Sequence, residues 1–527
     1  MKPATTSPYT TRQAMETFLS IHQNSILGSL TTFDRMILKG HLTMLYPNGA
    51  FARLLSRQGV LLKDFKPYVE GVSQQLKQHA EELAKEAGRS FRYLETAMTA
   101  RNGQSKEELA KQIAAEEHIT EGLICVFSTL ECCSTFTVRG KWQTQRLEVV
   151  QRKSKCLHFY FYYLDAELGF IHVRLQSWFP FQIQVYVNGR ECLARYLDQQ
   201  KIAYERYDNC FTRIDDLPLA QAFCEKFEHF DWPPVLDALA RRINPMLQTI
   251  QELGFGSYYW VADQCEIATD LMFKDRASLE TILPDLFEHA ILRCACQDAF
   301  RFLGRKLHGN FKGNSSVDTK KRPEGWRIKF TIKRNSIKIY DKYSVLRIET
   351  TINNPSEFKV CFQADDAKLR WKPMGKGVSN LYRYAQVGQQ ANYRFIDHLA
   401  QAELKSKAIP HLDSLCRSHT QNGKCCARFN PLSQADRDLF VAVMDGKNSV
   451  NGFRNRDLCT RLYPQPAFSD REAKQRCTKI SRLIAKLRGH GLIAKVKDAR
   501  LYRLTQVGSR TLFAVLSFYQ TDFPNAF

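Results

Sequence analysis

The chain has 527 residues, with 76 lysines and arginines against 54 aspartates and glutamates, a formal charge of +22. At 44% hydrophobic and 25% charged residues it can bury a sizeable core, and its length suggests about three or four domains. That balance excludes an acidic solvating protein and makes a polyanion the expected partner, nucleic acid before a membrane surface.

No run of about 18 apolar residues exists, and the first residues lack the apolar stretch of a secretory signal. The 16 cysteines form no disulfide-like framework, and most lie in apolar stretches such as Ile124-Cys125-Val126. A reducing cytoplasm and no membrane partner are expected.

Residues 13–118 read as a helical lobe, assigned to 1–120. Tyr68, Val72, Leu76 and Leu83 recur at helical spacing, and Ser105 with Glu108 has the form of a capping box. From 121 the pattern becomes β-like. Leu157–Tyr163, Phe170–Gln176 and Phe181–Val187 are aromatic and β-branched runs. A helix, Glu191–Gln199, and a strand, Tyr204–Ile214, follow. Helices return from Pro218 to Leu253, a strand region covers Gly254–Phe273, and Leu279–Leu303 is helical. His308–Ser316 reads as a loop. Trp326–Lys333, Ser336–Lys342 and Val345–Asn353 read as strands with tight connections. The fold class is multidomain α+β, with a mixed α/β nuclease-like core over 121–365 and a helical segment and linker over 366–425.

Residues 426–527 read as a winged helix. Helices are expected at Ser433–Asp445, Arg454–Tyr463 and Ser469–Arg488, with a hairpin around Lys497–Arg500 as the wing. This segment holds 18 basic and 8 acidic residues, an excess of 10. Lys474, Lys479, Arg482 and Lys486 suit a major groove, and Lys497 and Arg500 suit phosphates.

The densest polar chemistry lies in Asp263–Asp270 and Arg334–Glu349. Read as strands, Lys338, Tyr340 and Lys342 share one face, as do Arg347 and Glu349. Committing such groups to one face of a buried sheet is costly unless they pair or bind something. Carboxylates can hold Mg²⁺ or Mn²⁺, a cation can support phosphate charge, and a tyrosine can attack phosphorus. Asp270, Glu349 and Glu266 are the metal candidates. Tyr340 is the candidate nucleophile, with water as the alternative, and Lys338, Lys342 and Arg347 are the phosphate candidates. Ordinary cross-strand salt bridges would use the same residues.

Two further sets are weaker. Asp165, Glu191 and Asp208 fall where an RNase H-like opening would carry carboxylates. His411, Cys416, His419, Cys425 and Cys426 cluster ahead of the winged helix in a spacing that fits no standard zinc pattern. Aromatic residues over 158–186 serve as two-sided core or as a base-stacking platform. No P-loop, dinucleotide fingerprint or nucleophile elbow is present.

The order of an acidic strand ending in Asp270, then Asn335-Ser-Ile-Lys338-Ile-Tyr340-Asp-Lys342, then Leu346-Arg347-Ile-Glu349, resembles rolling-circle replication initiators of plasmids and filamentous phages. That resemblance covers under a tenth of the chain and lacks the His-x-His motif of one branch of the class. It implies DNA nicking through Tyr340 with a divalent metal. The whole chain also resembles a large bacterial family through Arg174–Phe181, Asn188–Glu191 and Arg347–Asn353, which implies a mobile-element or defence setting. The expected function is a metal-dependent DNA endonuclease or strand-transfer enzyme, single or homo-oligomeric. The alternative is a non-catalytic RNA- or DNA-binding regulator or ribonucleoprotein component.

Overall fold

The computed structural model describes residues 12–46, 48–95, 104–293, 302–304, 315–322, 325–363, 369–400, 413–421, 424–445, 452–496 and 499–519. Its helices and one large mixed sheet make an α+β protein. Among the described residues no helix is long and apolar enough to cross a membrane. The chain divides into two compact units. The larger comprises Leu27–Phe273 and Arg334–Gln389; the other comprises Met1–Ile26, Lys274–Lys333 and Gln390–Phe527.

The strands in chain order begin with β1 (Ile26–His41), β2 (Ser90–Tyr93), β3 (Gly122–Lys141), β4 (Arg146–Asp165), β5 (Gly169–Gln176) and β6 (Ile183–Asn188). A small antiparallel hairpin, β7 (Tyr204–Tyr207) and β8 (Cys210–Ile214), precedes β9 (Tyr259–Phe273). The hairpin β10 (Ser315–Arg322) and β11 (Gly325–Ile332) lies in the second unit. Then come β12 (Asn335–Lys342) and β13 (Val345–Ile352).

In the larger unit the sheet order is β12-β13-β9-β1-β6-β5-β4-β3-β2. The ribbon β3–β4 is antiparallel through Lys141 and Arg146, and β2 pairs parallel to β3. The helix Gly189–Gln200 packs Leu193, Ala194 and Leu197 against Phe211, Met272 and Val345. Every residue of β13 is buried, which explains its β-branched sequence Val-Leu-Arg-Ile-Glu-Thr-Thr-Ile.

Two boundaries depart from expectation. Residues 26–41, assigned to a helical lobe, form β1 in the middle of the sheet. Met36, Leu38 and Gly40 are buried there and alternate with the more accessible Arg35, Ile37, Lys39 and His41. That period of two is a strand signal, and pairing with β6, about 150 residues away in the chain, satisfies it. The α/β core is also discontinuous, because 274–333 belongs to the other unit. Helices do form at Asn48–Arg57, Phe65–Glu86 and Lys106–Glu116, the last with the expected Ser105–Glu108 capping box. The expected helix Leu279–Leu303 is described as Arg276–Arg293; the loop His308–Ser316 lies mostly outside the described residues.

The aromatic stretch is core on both faces: Phe159, Phe161, Tyr162, Tyr163, Phe179 and Phe181 are all buried.

In the second unit, helices Gln434–Met444, Asn455–Leu462, Asp470–Gly489 and Gln506–Ser517 enclose Leu439, Phe440, Leu458, Ile480, Ile484, Leu487 and Leu512. Ile493–Lys495 pairs antiparallel with Tyr502–Leu504, and Phe453 bridges to Tyr502. Ser469 caps the third helix by accepting from the Glu472 amide at 3.3 Å. Gly491, at φ +67°, supplies the left-handed turn after that helix.

Candidate metal centre and ion-pair network

The register of three strands assembles the site. Lys338 faces Glu349 and Tyr340 faces Arg347 across β12–β13; Arg347 faces Asp270 and Thr351 faces Glu266 across β13–β9. Paired residues share a face, so Lys338, Tyr340, Arg347, Glu349, Asp270 and Glu266 all project to the same side.

Asp270 is fully buried between two guanidinium groups. Arg347 donates to it through Nε at 2.6 Å and Nη2 at 2.9 Å, and Arg190 approaches from Nη1 at 2.7 Å. Local sequence aims Arg190 there. The Asn188 side chain caps the helix by accepting from the Arg190 amide at 2.9 Å. A side chain at Gly189 would put Cβ 2.4 Å from the Phe33 carbonyl oxygen, so only glycine admits this close approach of helix and strand. Burial pushes the Asp270 carboxyl up, but Arg190 and Arg347 outweigh it and hold it below its ordinary value.

Beside this pair lie Asp34, Glu266 and Glu349, all buried, with carboxylate oxygens within 4.8 Å of one another. Asp34 accepts from Arg347 Nη1 at 3.0 Å and from Asn209 Nδ2 at 2.5 Å. Glu349 accepts from Lys338 and from the Tyr340 hydroxyl, the latter at 2.5 Å. Glu266 pairs with Arg35 at 3.0 Å and Lys338 at 3.5 Å. The two glutamates therefore share one lysine and diverge in proton affinity. Burial opposes ionisation of Glu349, but Lys338 and Tyr340 hold it down to about 2. Burial and the neighbouring Glu349 push Glu266 up, against Lys338 and Arg35. Burial and Glu349 hold the Tyr340 hydroxyl well above its ordinary value.

Four carboxylates (Asp34, Glu266, Asp270, Glu349) thus meet four cations (Arg35, Arg190, Lys338, Arg347). Three convergent carboxylates make an all-oxygen donor set suited to a hard divalent cation such as Mg²⁺ or Mn²⁺. Such an ion would compete with the Lys338 ammonium for Glu266 and Glu349.

Of the expected metal ligands, Glu266 and Glu349 come together, and Asp270 stands outside them in its arginine clamp. Asp34, Arg35 and Arg190 complete the site and were not expected from the sequence. Of the phosphate candidates, Lys338 and Arg347 are engaged in the network. Lys342 instead pairs with Asp208 at 2.5 Å, at the edge. The second acidic set is dispersed. Asp165 accepts from the Glu167 and Leu168 amides, and Glu191 pairs with Arg206 at 2.9 Å.

On the helix Asp470–Gly489, Lys474, Lys479 and Arg482 are exposed. Lys474 and Arg482 have no carboxylate at ion-pair distance among the described residues. Lys486 turns inward, 3.6 Å from Asp436 and 3.8 Å from the Phe429 ring centroid. Arg500 is exposed, and Lys497 lies outside the described residues. His419 Nε2 is 2.8 Å from the Gly489 carbonyl oxygen, and the Cys416–Cys426 group does not converge as a metal-ligand cluster among the described residues.

No family model, no curated protein and no solved structure matches this chain.

Proposed function

We propose that the chain binds duplex DNA through a C-terminal winged helix and cleaves a strand at Asp34, Glu266 and Glu349 with Mg²⁺ or Mn²⁺. The element order after residue 433 supports the first half: helix, single bridge at Phe453, helix, helix, hairpin. The observation that carries it is the third helix. It buries Ile480, Ile484 and Leu487 and leaves Lys474, Lys479 and Arg482 exposed on the rest of its surface.

For cleavage, the converging carboxylates are the support. A divalent ion held there would polarise a phosphodiester oxygen and offset developing charge. Lys338 and Arg347 add fixed positive charge beside it. Water is the better nucleophile than Tyr340. The tyrosine's proton would have to pass from a hydroxyl held above its ordinary value to a carboxylate held near 2. Glu266, with its raised proton affinity, is the better acceptor for a proton from water. Tyr340 then acts by orienting Glu349 through its 2.5 Å hydrogen bond.

The balance of four carboxylates against four cations favours a second reading, in which the network only braces the sheet and the protein binds without cutting. Incubation of labelled duplex and single-stranded DNA with Mn²⁺ separates the two. Cleavage is expected in the native chain and in Tyr340→Phe without a protein–DNA adduct, and is expected to vanish in Glu266→Gln. Retarded duplex with no product would establish the binding-only reading. An adduct lost in Tyr340→Phe would restore the tyrosine as nucleophile.

A further inference from the structure

The ribbon β3–β4 carries a second cluster, remote in sequence from the carboxylates. Cys133, Cys156 and His158 lie on one face of it, where Cys133 faces Ser154 and Cys156 faces Glu131. The two sulfurs are 3.1 Å apart, and a ring nitrogen of His158 joins them in a group spanning at most 4.8 Å. Cys156 and His158 are buried and Cys133 is half-buried.

Two features distinguish this group from two chance thiols. First, Cys133 and Cys156 are diagonal rather than directly opposed. Diagonal residues on neighbouring strands have Cα atoms about 7–8 Å apart, beyond ordinary disulfide reach, whereas a metal between the sulfurs spans that gap. Second, His158 Nδ1 lies 3.2 Å from the Cys156 carbonyl oxygen. A carbonyl only accepts, so Nδ1 carries the proton and the lone pair is left on Nε2. A ring N–H given to a backbone carbonyl is the usual support of a metal-bound histidine.

We infer that Cys133, Cys156 and the imidazole of His158 bind Zn²⁺ as three protein ligands, with water in the fourth position. Two thiolates on a tetrahedral zinc at about 2.3 Å stand about 3.8 Å apart, and a sulfur and a nitrogen about 3.6 Å. The present sulfur–sulfur spacing of 3.1 Å must open by about 0.7 Å to reach the first of those values. Binding expels one proton from each of the two thiols and leaves a neutral Zn²⁺–dithiolate centre. Water enters from the half-exposed Cys133 side. Soft sulfur ligands select against the hard ion proposed for the carboxylate cluster, so the two sites take different metals.

Cobalt titration of the reduced, metal-stripped full chain tests this. The expected result is a thiolate-to-cobalt charge-transfer band that saturates at one equivalent and is bleached by Zn²⁺. Cys133→Ser is expected to lose the band while melting as a folded protein. Cys132→Ser, an exposed neighbour on the opposite face, is expected to keep it, as is Cys425→Ser in the C-terminal cluster. A missing band, or one that survives Cys133→Ser, would overturn the site. So would a Cys133–Cys156 disulfide, found by peptide mass mapping, in protein purified without reductant.

Discussion

Asp270 sits where removing a charge costs most. Its two oxygens take Arg347 and Arg190, and all three side chains are essentially inaccessible. Breaking such a pair on one side strands buried cations, a loss of about 3–5 kcal/mol. Asp270→Asn is therefore expected to lower unfolding stability by about that amount, measured by urea denaturation, and Glu349→Gln by less, because Lys338 keeps Glu266. The same carboxyls set the acid limit. Asp270 and Glu349 are both depressed in the folded state, so their contribution is fully present above the unfolded carboxylate range. It is lost as pH falls through the folded values, the window for Glu349 running from about 5 down to about 2. Glu266, raised by burial and Glu349, has the opposite sign: its contribution is present at low pH and fades as pH rises through its folded value. Unfolding midpoints measured from pH 7 to pH 3 are expected to fall steeply below 5, and the fall is expected to be shallower in Asp270→Asn.

The helix Asp470–Gly489 separates cations that were equivalent in sequence. Lys474 and Arg482 are exposed without acidic partners among the described residues, whereas Lys486 packs on Phe429 and faces Asp436. Replacing Lys474 and Arg482 with alanine is expected to weaken duplex binding and to reduce the salt slope by about 2, one per phosphate contact. Lys486→Ala is expected to leave the slope unchanged and to cost stability instead. Fluorescence anisotropy at several salt concentrations reads both. The amphipathic period of this helix and the alternation in β12 and β13 were legible in the sequence because local period alone fixes a face. What escaped depends on register between distant segments. Asp34 was missed because β1 lay in a region read as helical, although Arg35, Lys39 and His41 already alternate with Met36, Leu38 and Gly40. Arg190 fell one position ahead of the expected helix Glu191–Gln199 and received no role, and nothing local reveals that it meets Asp270. Cys133 and His158 are 25 positions apart and converge only through the β3–β4 pairing.

Across the whole molecule the two kinds of charge respond differently to salt. Apart from the half-exposed Arg35, the sheet network is buried, and screening by mobile ions barely reaches it. Residues 426–527 carry an excess of 10 positive charges, and many of the described cations there are instead displayed. Arg471, Lys474, Lys479, Arg482, Lys495 and Arg500 are all exposed. If those six cations each release a counterion from B-DNA, the logarithm of affinity falls with the logarithm of salt at a slope of about −5. Raising salt from about 50 to 200 mM is then expected to weaken duplex binding about 10³-fold. The thermal midpoint of the free protein is expected to stay nearly constant over the same range, since its strongest ion pairs are out of reach of the solvent. Binding titrations and melting curves on one sample series test both halves. A shallow binding slope would remove the C-terminal cations from the interface. A melting point that falls in parallel with affinity would mean that the Asp34–Asp270–Glu349 network is open to water, and with it the argument that a divalent ion there works in a low-dielectric site.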